Sequence, residues 1–237
     1  MIELVDVSYE KDGKLILDNI NVKFDNSFTV ITGPNGSGKS TLAKIIMGIL
    51  KPTKGKVLFN GIDITNYSID KRAKEGISFS FQQPVKFKGI TVYDLIILSS
   101  SEELDFIACC DVLSKVGLCA REYINREVDD SLSGGELKRI EIATIMVRNS
   151  KVNIFDEPEA GIDLWSFNSL INVFKELREK NNCKTIIISH QERIISIADK
   201  VILLEGGKIK DNSIDNDFIN TITRCSKLGG EINEWFR

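Results

Sequence analysis

The sequence predicts an α/β fold, in which helices cover a mainly parallel sheet and an α-helical lobe is inserted into the core. Apolar segments with strand character alternate with segments of helical periodicity, a pattern that favours parallel strands joined by helices. Between residues 91 and 147 the strand pattern fades, and apolar residues recur at helical spacing instead. This interruption is the reason for predicting an inserted lobe.

The first core strand is predicted at residues 28–32, where Phe-Thr-Val-Ile-Thr forms a short apolar run. A helix is expected after it, because apolar residues recur there at helical spacing: Leu42, Ile45, Ile46 and Ile49. We expect Pro52 to end this helix, since proline lacks the N–H that a helix interior requires.

Further strands are predicted at residues 77–81, 152–155 and 185–189, each of which is a short apolar segment. The apolar run at 201–204 and the Glu-Gly-Gly-Lys turn at 205–208 indicate a last strand and a hairpin. Within the inserted region, one apolar helical stripe is formed by Leu137, Ile140, Ala143 and Val147.

The composition is that of an ordinary soluble globular protein, with 237 residues, 42% of them hydrophobic and 27% charged. A formal charge of -3 argues against a generally basic surface, so we expect no nucleic-acid partner. No apolar run reaches the roughly 18 to 20 residues that span a bilayer, and the first residues lack the pattern of a signal peptide. We therefore expect a cytoplasmic protein without direct membrane insertion, which would reach a membrane only through a partner.

The five cysteines form an odd set without a CxxC pair. They are expected to be small reduced side chains of a cytosolic protein. Because the chain also has a single histidine, we expect no internal zinc or iron–sulfur site.

The most specific motif is Gly-x-x-x-x-Gly-Lys-Ser at residues 33–40, which lies between a predicted strand and a predicted helix, as a phosphate loop must. Glycines let successive N–H groups turn toward phosphates, and the helix N-terminus adds the positive end of its dipole. We expect Lys39 to reach the β and γ phosphates, Ser40 to coordinate Mg²⁺ and Thr41 to contact the α phosphate. An accidental glycine-rich turn is the alternative. The other nucleotide-binding candidates of the loop are Gly33, Asn35, Gly36, Ser37 and Gly38.

A pair of carboxylates, Asp156 and Glu157, follows the predicted strand at 152–155. Ligands of open α/β sheets bind at this end of the strands. Phosphoryl transfer to water requires an acid that orients the metal and a group that positions or deprotonates the water. We assign Asp156 to Mg²⁺, through its water shell, and Glu157 to the attacking water. A solvated turn is the alternative, and the phosphate loop favours the catalytic interpretation.

The segment Leu-Ser-Gly-Gly-Glu at 132–136 predicts a second anion site. A serine and two glycines that open a helix offer N–H groups and a hydroxyl to a γ phosphate, here from Ser133 and Gly135. An ordinary N-cap is the alternative.

These three motifs and His190, which closes the predicted strand at 185–189, resemble in this order the ATPase subunit of the ATP-binding cassette (ABC) family. The resemblance covers nearly the whole chain. It implies a RecA-like phosphate-loop NTPase core with a mainly parallel sheet, an N-terminal antiparallel β portion and an inserted α-helical lobe. Residues 1–237 would form a single ABC ATPase domain, with the catalytic core at 1–82 and 148–237 and the helical lobe at 83–147.

The resemblance also implies that the chain is an ATP hydrolase that uses Mg²⁺ and works as a head-to-tail dimer. Ser133 and Gly135 would complete the nucleotide site of a second copy, and the segment 159–163 matches the one that runs along that interface. For this segment a turn capped by Asp163 is the alternative. His190 matches the switch histidine that contacts the γ phosphate.

Gln82 matches the glutamine that senses Mg²⁺ and the attacking water in this family, while its loop contacts the partner protein. The adjacent Gln83 and a merely exposed amide are the alternatives. The family often stacks adenine on an aromatic residue at the place that Lys11 occupies here, and the nearest aromatic residue is Tyr9. Tyr9 either binds adenine from a shifted loop or is a core residue.

Local features are similar to SufC-type ATPases of iron–sulfur cluster assembly, which also lack the aromatic residue at the place of Lys11. These features are the segments 82–85, 160–163 and 190–194, and Gly89. The first interpretation is therefore a soluble ATPase that binds a SufB/SufD-like scaffold through the loop after Gln82 and remodels it. The alternative is the nucleotide-binding subunit of a membrane transporter, with a transmembrane permease as its partner.

Two further classes are disfavoured. An SMC-like DNA-organising ATPase requires a long coiled-coil insertion, for which the chain has no room. A nucleotide-binding regulator without turnover would not need Glu157 and His190.

Overall fold

A computed structural model describes residues 1–180 and 183–211 of the chain. Up to residue 75 its elements are β1 (Ile2–Lys11), β2 (Lys14–Phe24), β3 (Phe28–Thr32), α1 (Lys39–Met47), β4 (Lys54–Phe59), β5 (Ile62–Asp63) and α2 (Ile69–Glu75). There follow β6 (Ile77–Ser80), β7 (Phe87–Thr91), α3 (Val92–Ser99), α4 (Phe106–Lys115), α5 (Ala120–Tyr123), β8 (Glu127–Val128), α6 (Gly134–Val147), β9 (Val152–Asp156) and α7 (Leu164–Glu179). The last elements are β10 (Lys184–Ile188), α8 (Glu192–Ile195), β11 (Lys200–Glu205) and β12 (Lys208–Asp211).

The chain divides into two compact units. Of the described residues, the first contains 1–75 and 186–211, and the second contains 76–180 and 183–185. The boundary between the two units in the sequence, after Thr185, falls within the strand β10.

The first unit contains an antiparallel sheet in the order β2-β1-β4-β5. Asp12 and Gly13 join β1 to β2 with positive φ angles of 52° and 73°, the geometry of a tight type I′ hairpin. The strand β3 pairs in parallel with β11, and β11 pairs with β12 as an antiparallel hairpin. The hairpin predicted at 205–208 is therefore confirmed.

The helix α1 ends at Gly48, and the prediction that it continues to Pro52 is wrong. Gly48 has a φ of 83° and donates its N–H to Lys44 O and Ile45 O, so a left-handed glycine ends the helix before proline is reached. Leu42 and Ile45 form part of the buried face as predicted, whereas Ile49 lies beyond the helix and is half-buried.

The second unit combines the parallel pair β6 and β9 with the short antiparallel pair β7 and β8 and a set of helices. The helices α3 and α4 both pack on α6, whose predicted apolar residues Leu137, Ile140 and Ala143 are buried. The predicted fold class is thus confirmed: parallel strand pairs, an N-terminal antiparallel sheet and helices in the inserted region. In neither described range is a helix long and apolar enough to cross a membrane.

Candidate active site

The phosphate loop joins β3 to α1 in the first unit, and its backbone needs glycine. Gly33 and Gly38 have φ angles of 140° and 103°. A Cβ atom at Gly33 would lie 1.9 Å from Leu204 O, so the loop begins in close contact with the end of β11. Gly38, at the N-cap of α1, supplies no side-chain acceptor to the first N–H groups of the helix. The loop therefore presents main-chain donors and the positive end of a helix to an anion.

Lys39 is buried inside this loop, and its Nζ donates to Gly33 O at 2.7 Å and to Pro34 O at 2.9 Å. The ammonium is therefore held at the centre of the loop, where it can exchange a carbonyl for a phosphate oxygen. Ser37 Oγ is also buried, and it has no hydrogen-bond partner among the residues that the structure describes. Because an orphaned buried hydroxyl is costly, the loop fits a bound group that the protein itself does not supply.

The remaining loop candidates lie around this centre. Asn35 and Gly36 are exposed at the tip of the loop, whereas Ser40 and Thr41 are half-buried in the first turn of α1. Ser40 offers a hydroxyl oxygen, the kind of ligand that Mg²⁺ accepts.

His190 follows β10, beside the strand that leads into the phosphate loop. The N–H of Ser189 donates to Ile31 O at 3.2 Å, which places His190 close to the end of β3. Tyr9 lies opposite Leu17 in the β1–β2 ladder and is half-buried, and Lys11 is exposed at the hairpin. The structure therefore brings His190 to the side of the loop.

The second unit brings Gln82 and Glu157 together. Asp156 is buried at the end of β9, and Glu157 follows with a φ of 48°, a left-handed conformation that costs free energy for a residue with a side chain. Gln82 Nε2 donates to Glu157 Oε2 at 2.8 Å. This bond distinguishes Gln82 from Gln83, and it aims an amide at the carboxylate that the sequence predicts to act on water.

Two charged residues of α6 that the sequence analysis missed contact the chain just before Gln82. Glu141 Oε1 accepts from Phe81 N at 2.9 Å and Glu141 Oε2 from Ser80 Oγ at 2.7 Å, while Lys138 Nζ donates to Phe81 O. Burial lowers the pKa of the Lys138 ammonium, and the Glu141 carboxylate opposes this shift. The only signal in the sequence is the position of both charges next to the apolar stripe of the helix.

The segment at 132–136 caps α6. Ser133 Oγ accepts from Glu136 N at 3.3 Å, and Ser133 N donates to Glu136 Oε2 at 2.7 Å, which is a capping box. Burial favours the neutral form of Glu136, but hydrogen bonds from Tyr123 and Ser133 prevail and lower the pKa of its carboxyl. The predicted N-cap is therefore present, and the exposed Ser133 remains available to a further ligand.

Gly135 packs directly on the segment that follows the carboxylate pair. A Cβ atom at Gly135 would lie 2.4 Å from Gly161 O, so only glycine permits this contact. Asp163 caps α7 by accepting from Trp165 N at 3.0 Å and Ser166 N at 2.9 Å. The predicted turn capped by Asp163 is present, and it holds 159–163 against the start of α6.

The cysteines Cys109, Cys110, Cys119 and Cys183 are free thiols, and Cys225 lies outside the described residues. Within 1–180 and 183–211, no group of three or more histidine, cysteine, aspartate or glutamate side chains could hold a metal ion.

Comparison with known proteins gives consistent results. The sequence pattern of the family described as ABC transporter matches residues 17–160. An uncharacterised ABC transporter ATP-binding protein of Methanocaldococcus jannaschii is 38% identical over 218 residues, which cover 88% of this chain and 87% of that protein. An energy-coupling factor transporter ATP-binding protein of Caldanaerobacter subterraneus subsp. tengcongensis is 35% identical over 222 residues, covering 90% of this chain and 77% of that protein.

Among solved structures, the dimeric structure of a bacterial ABC transporter cassette superimposes with a TM-score of 0.77 at 25% identity, covering 89% of this chain and 97% of that chain. The family pattern spans more than half of the 237 residues, and the phosphate loop, the carboxylate pair and the 132–136 segment all lie within it. The chain therefore belongs to the ABC family and is an ATP hydrolase.

Proposed function

We propose that the chain is the nucleotide-binding subunit of a membrane transporter, which binds Mg-ATP, dimerises with a second copy of itself and drives a conformational change in a transmembrane permease. The observation that carries this proposal is the identity of 38% and 35%, over about nine tenths of the chain, with two ATP-binding proteins named as transporter components. A dimeric cassette among the similar structures supports the second copy.

The SufC-like interpretation, with a SufB/SufD-like scaffold as partner, finds no support in these relatives. The segments that suggested it, 82–85, 160–163 and 190–194, lie beside the candidate catalytic residues. Any ABC ATPase must handle ATP there, so these segments carry little information about the partner. The transporter alternative therefore becomes the main proposal.

The first unit binds the triphosphate. Lys39 releases the loop carbonyls and pairs with phosphate oxygens, while the N–H groups of the loop and of α1 surround the same charge. Ser40 supplies an oxygen ligand for Mg²⁺, and Thr41 contacts the α phosphate. The ion, when bound, would supply positive charge that offsets the negative charge of the phosphates. His190, beside the end of β3, reaches the γ phosphate, and Tyr9 is the candidate contact for adenine.

The second unit acts on the attacking water. Glu157 orients the water and accepts its proton, and Gln82, hydrogen-bonded to Glu157 at 2.8 Å, fixes the direction of that carboxylate. Asp156 holds a water of the Mg²⁺ shell. Ser133 and Gly135 close the site of the second copy through a hydroxyl and an N–H at the start of α6.

The catalytic assignment is tested by replacing Glu157 with glutamine, which keeps the shape of the side chain and removes its basicity. We expect Glu157→Gln to lower kcat by about 10² to 10⁴, the usual effect of losing a general base, while ATP still binds and holds the dimer together. Lys39→Ala is the matched comparison, because it should abolish ATP binding itself. Phosphate release, nucleotide titration and sedimentation measure the three effects. Wild-type turnover in Glu157→Gln would show that another group activates the water.

The partner is tested by purifying the tagged chain from solubilised membranes and from the soluble fraction, and by identifying the bound proteins by mass spectrometry. A stoichiometric protein with transmembrane spans is the expected result. A soluble scaffold in its place, without any spanning protein, would return the cluster-assembly interpretation to first position.

A further inference from the structure

Two charged side chains of α6 hold both main-chain groups of Phe81. The N–H of Phe81 donates to Glu141 Oε1 at 2.9 Å, and its carbonyl accepts from Lys138 Nζ. The strand β6 ends one residue earlier, at Ser80, which is the last residue paired with β9. Lys138 and Glu141 therefore replace the ladder hydrogen bonds at the point where the sheet no longer fixes the chain.

Burying the charged side chain of Lys138 costs free energy. The Lys138 side chain is 0% exposed and lies 3.4 Å from a Glu141 carboxylate that is 15% exposed. A buried ammonium is tolerated only when it is paired and hydrogen-bonded, and apolar residues of similar size stabilise most cores at least as well. Since Leu137 and Ile140 are already buried on the same helix, a further apolar side chain would fit the surroundings. What an apolar side chain cannot do is orient a peptide group.

The orientation of this peptide limits where Gln82 can point. The carbonyl of Phe81 lies in the same plane as the N–H and the Cα atom of Gln82, so fixing that carbonyl fixes the point from which the Gln82 side chain starts and leaves φ as the one backbone angle that sets its direction. Gln82 is exposed, and a long exposed side chain populates several rotamers. A fixed Cα position reduces the number of conformations that compete with the one in which Gln82 Nε2 contacts Glu157 Oε2 at 2.8 Å.

We propose that Lys138 and Glu141 are positioning residues for ATP hydrolysis, which clamp the main chain of Phe81 and thereby hold Gln82 on Glu157. The proposal rests on the catalytic roles proposed above for Gln82 and Glu157. Because Ser133 begins the same helix, the clamp also connects the candidate γ-phosphate contact to Gln82 through about two turns of rigid helix, roughly 10 Å.

A double-mutant cycle separates this role from simple stabilisation of the fold. The cycle compares Glu141→Ala, Gln82→Ala and the double variant by steady-state phosphate release at saturating ATP. We expect Glu141→Ala to lower kcat about tenfold with the KM for ATP unchanged, the pattern of an interaction that acts in the transition state. In the Gln82→Ala background the same substitution should lower kcat less than about twofold, because the group it positions is already gone.

Two further variants complete the design. Glu141→Gln keeps an acceptor for the Phe81 N–H, so it should recover part of the lost rate and serves where Glu141→Ala folds poorly. Lys115→Met is the matched control, because Lys115 forms an exposed ion pair with Glu176 at 2.8 Å in the same unit and such pairs contribute little. It should hydrolyse ATP at the wild-type rate.

Equal losses from Glu141→Ala in both backgrounds would overturn the proposal, and so would wild-type kcat in Gln82→Ala. These outcomes are distinguishable from failure of the proposed catalytic function. If Glu157→Gln slows hydrolysis as expected and the cycle is additive, the catalytic assignment stands and only the positioning role is wrong.

Discussion

Arg72, on α2, provides the sharpest test of what supports the phosphate-loop helix. Its side chain is buried, and its guanidinium donates to Ile45 O at 2.8 Å, to Ile46 O at 2.7 Å, to Thr65 O at 3.0 Å and to Tyr67 O at 3.3 Å. The first two carbonyls belong to the last turn of α1, where a helix has few intrahelical donors left: Ile45 O also accepts from Gly48 N, and Ile46 O relies on Arg72. Burial lowers the pKa of Arg72 to about 10, so the guanidinium remains charged at neutral pH.

The magnitude for Arg72→Met follows from these contacts. Methionine fills much of the same space but donates no hydrogen bond, so the buried carbonyl of Ile46 loses its donor, whereas Ile45 O still accepts from Gly48 N. An unsatisfied buried polar group costs about 1–3 kcal/mol, so the expected loss is about 2 kcal/mol. The carbonyls of Thr65 and Tyr67 are only partly buried, and water can replace the guanidinium there.

Thermal unfolding followed by calorimetry measures this loss. For a chain of this size about 1 kcal/mol lowers Tm by roughly 2–4 °C, so a loss of about 2 kcal/mol should make Arg72→Met melt about 4–8 °C below the wild type. Lys74→Met is the matched control on the same helix, because Lys74 is exposed and its replacement should change Tm by less than about 2 °C. If both variants melt together, Arg72 does not cap α1 in the way that its contacts indicate.

Two other substitutions are predicted from contacts in the second unit. Gly135→Ala places a Cβ atom against Gly161 O and should lower Tm by about 2–12 °C. Gly134→Ala is the control, because its Cβ atom meets no atom within 4 Å, and it should leave Tm unchanged or raise it. Equal Tm values for the two variants would contradict the close contact at Gly135. Hydrogen bonds from Ser166, and then from Trp165, lower the pKa of the Asp163 carboxyl below its unfolded value of about 3.9. The ionised cap therefore contributes its full stability above about pH 3.9. This stability is lost as the pH falls through the pKa of the folded protein. Asp163→Ala should therefore melt about 2–4 °C below the wild type at pH 7, and the difference should narrow below about pH 4; a constant difference would exclude the charged cap.

Much of the fold could be predicted because its signals are local. The glycines of the phosphate loop stand between an apolar strand and a periodic helix, so the candidate phosphate-binding residues and the elements that present them are adjacent in sequence. The end of α1 was predicted wrongly because two local signals compete there. Pro52 is the more conspicuous one, but Gly48 comes first in the sequence and ends the helix in a left-handed conformation.

The contacts of the candidate site could not be derived in this way, because they join distant residues. Gln82 and Glu157 are 75 positions apart, and Lys138 and Phe81 are 57 apart. Periodicity places a residue on a face of an element but does not identify its partner, and a buried lysine contradicts the usual rule for charged residues. The choice between a scaffold and a permease could not be derived from the sequence for another reason: the motifs belong to the candidate nucleotide site, and the surface that meets a partner has no comparable pattern.

The pairing of β3 with β11 has a consequence for the order in which the protein is made. Phe28 N bonds to Asp199 Oδ2, 171 positions away, and Gly33 packs on Leu204 O. A nascent chain thus exposes its phosphate loop early on the ribosome, yet the loop gains its contact with β11 only after residue 204 has emerged. The contiguous stretch Gly76–Thr185 has been synthesised before then, so we expect the surroundings of the phosphate loop to be completed among the last steps of co-translational folding.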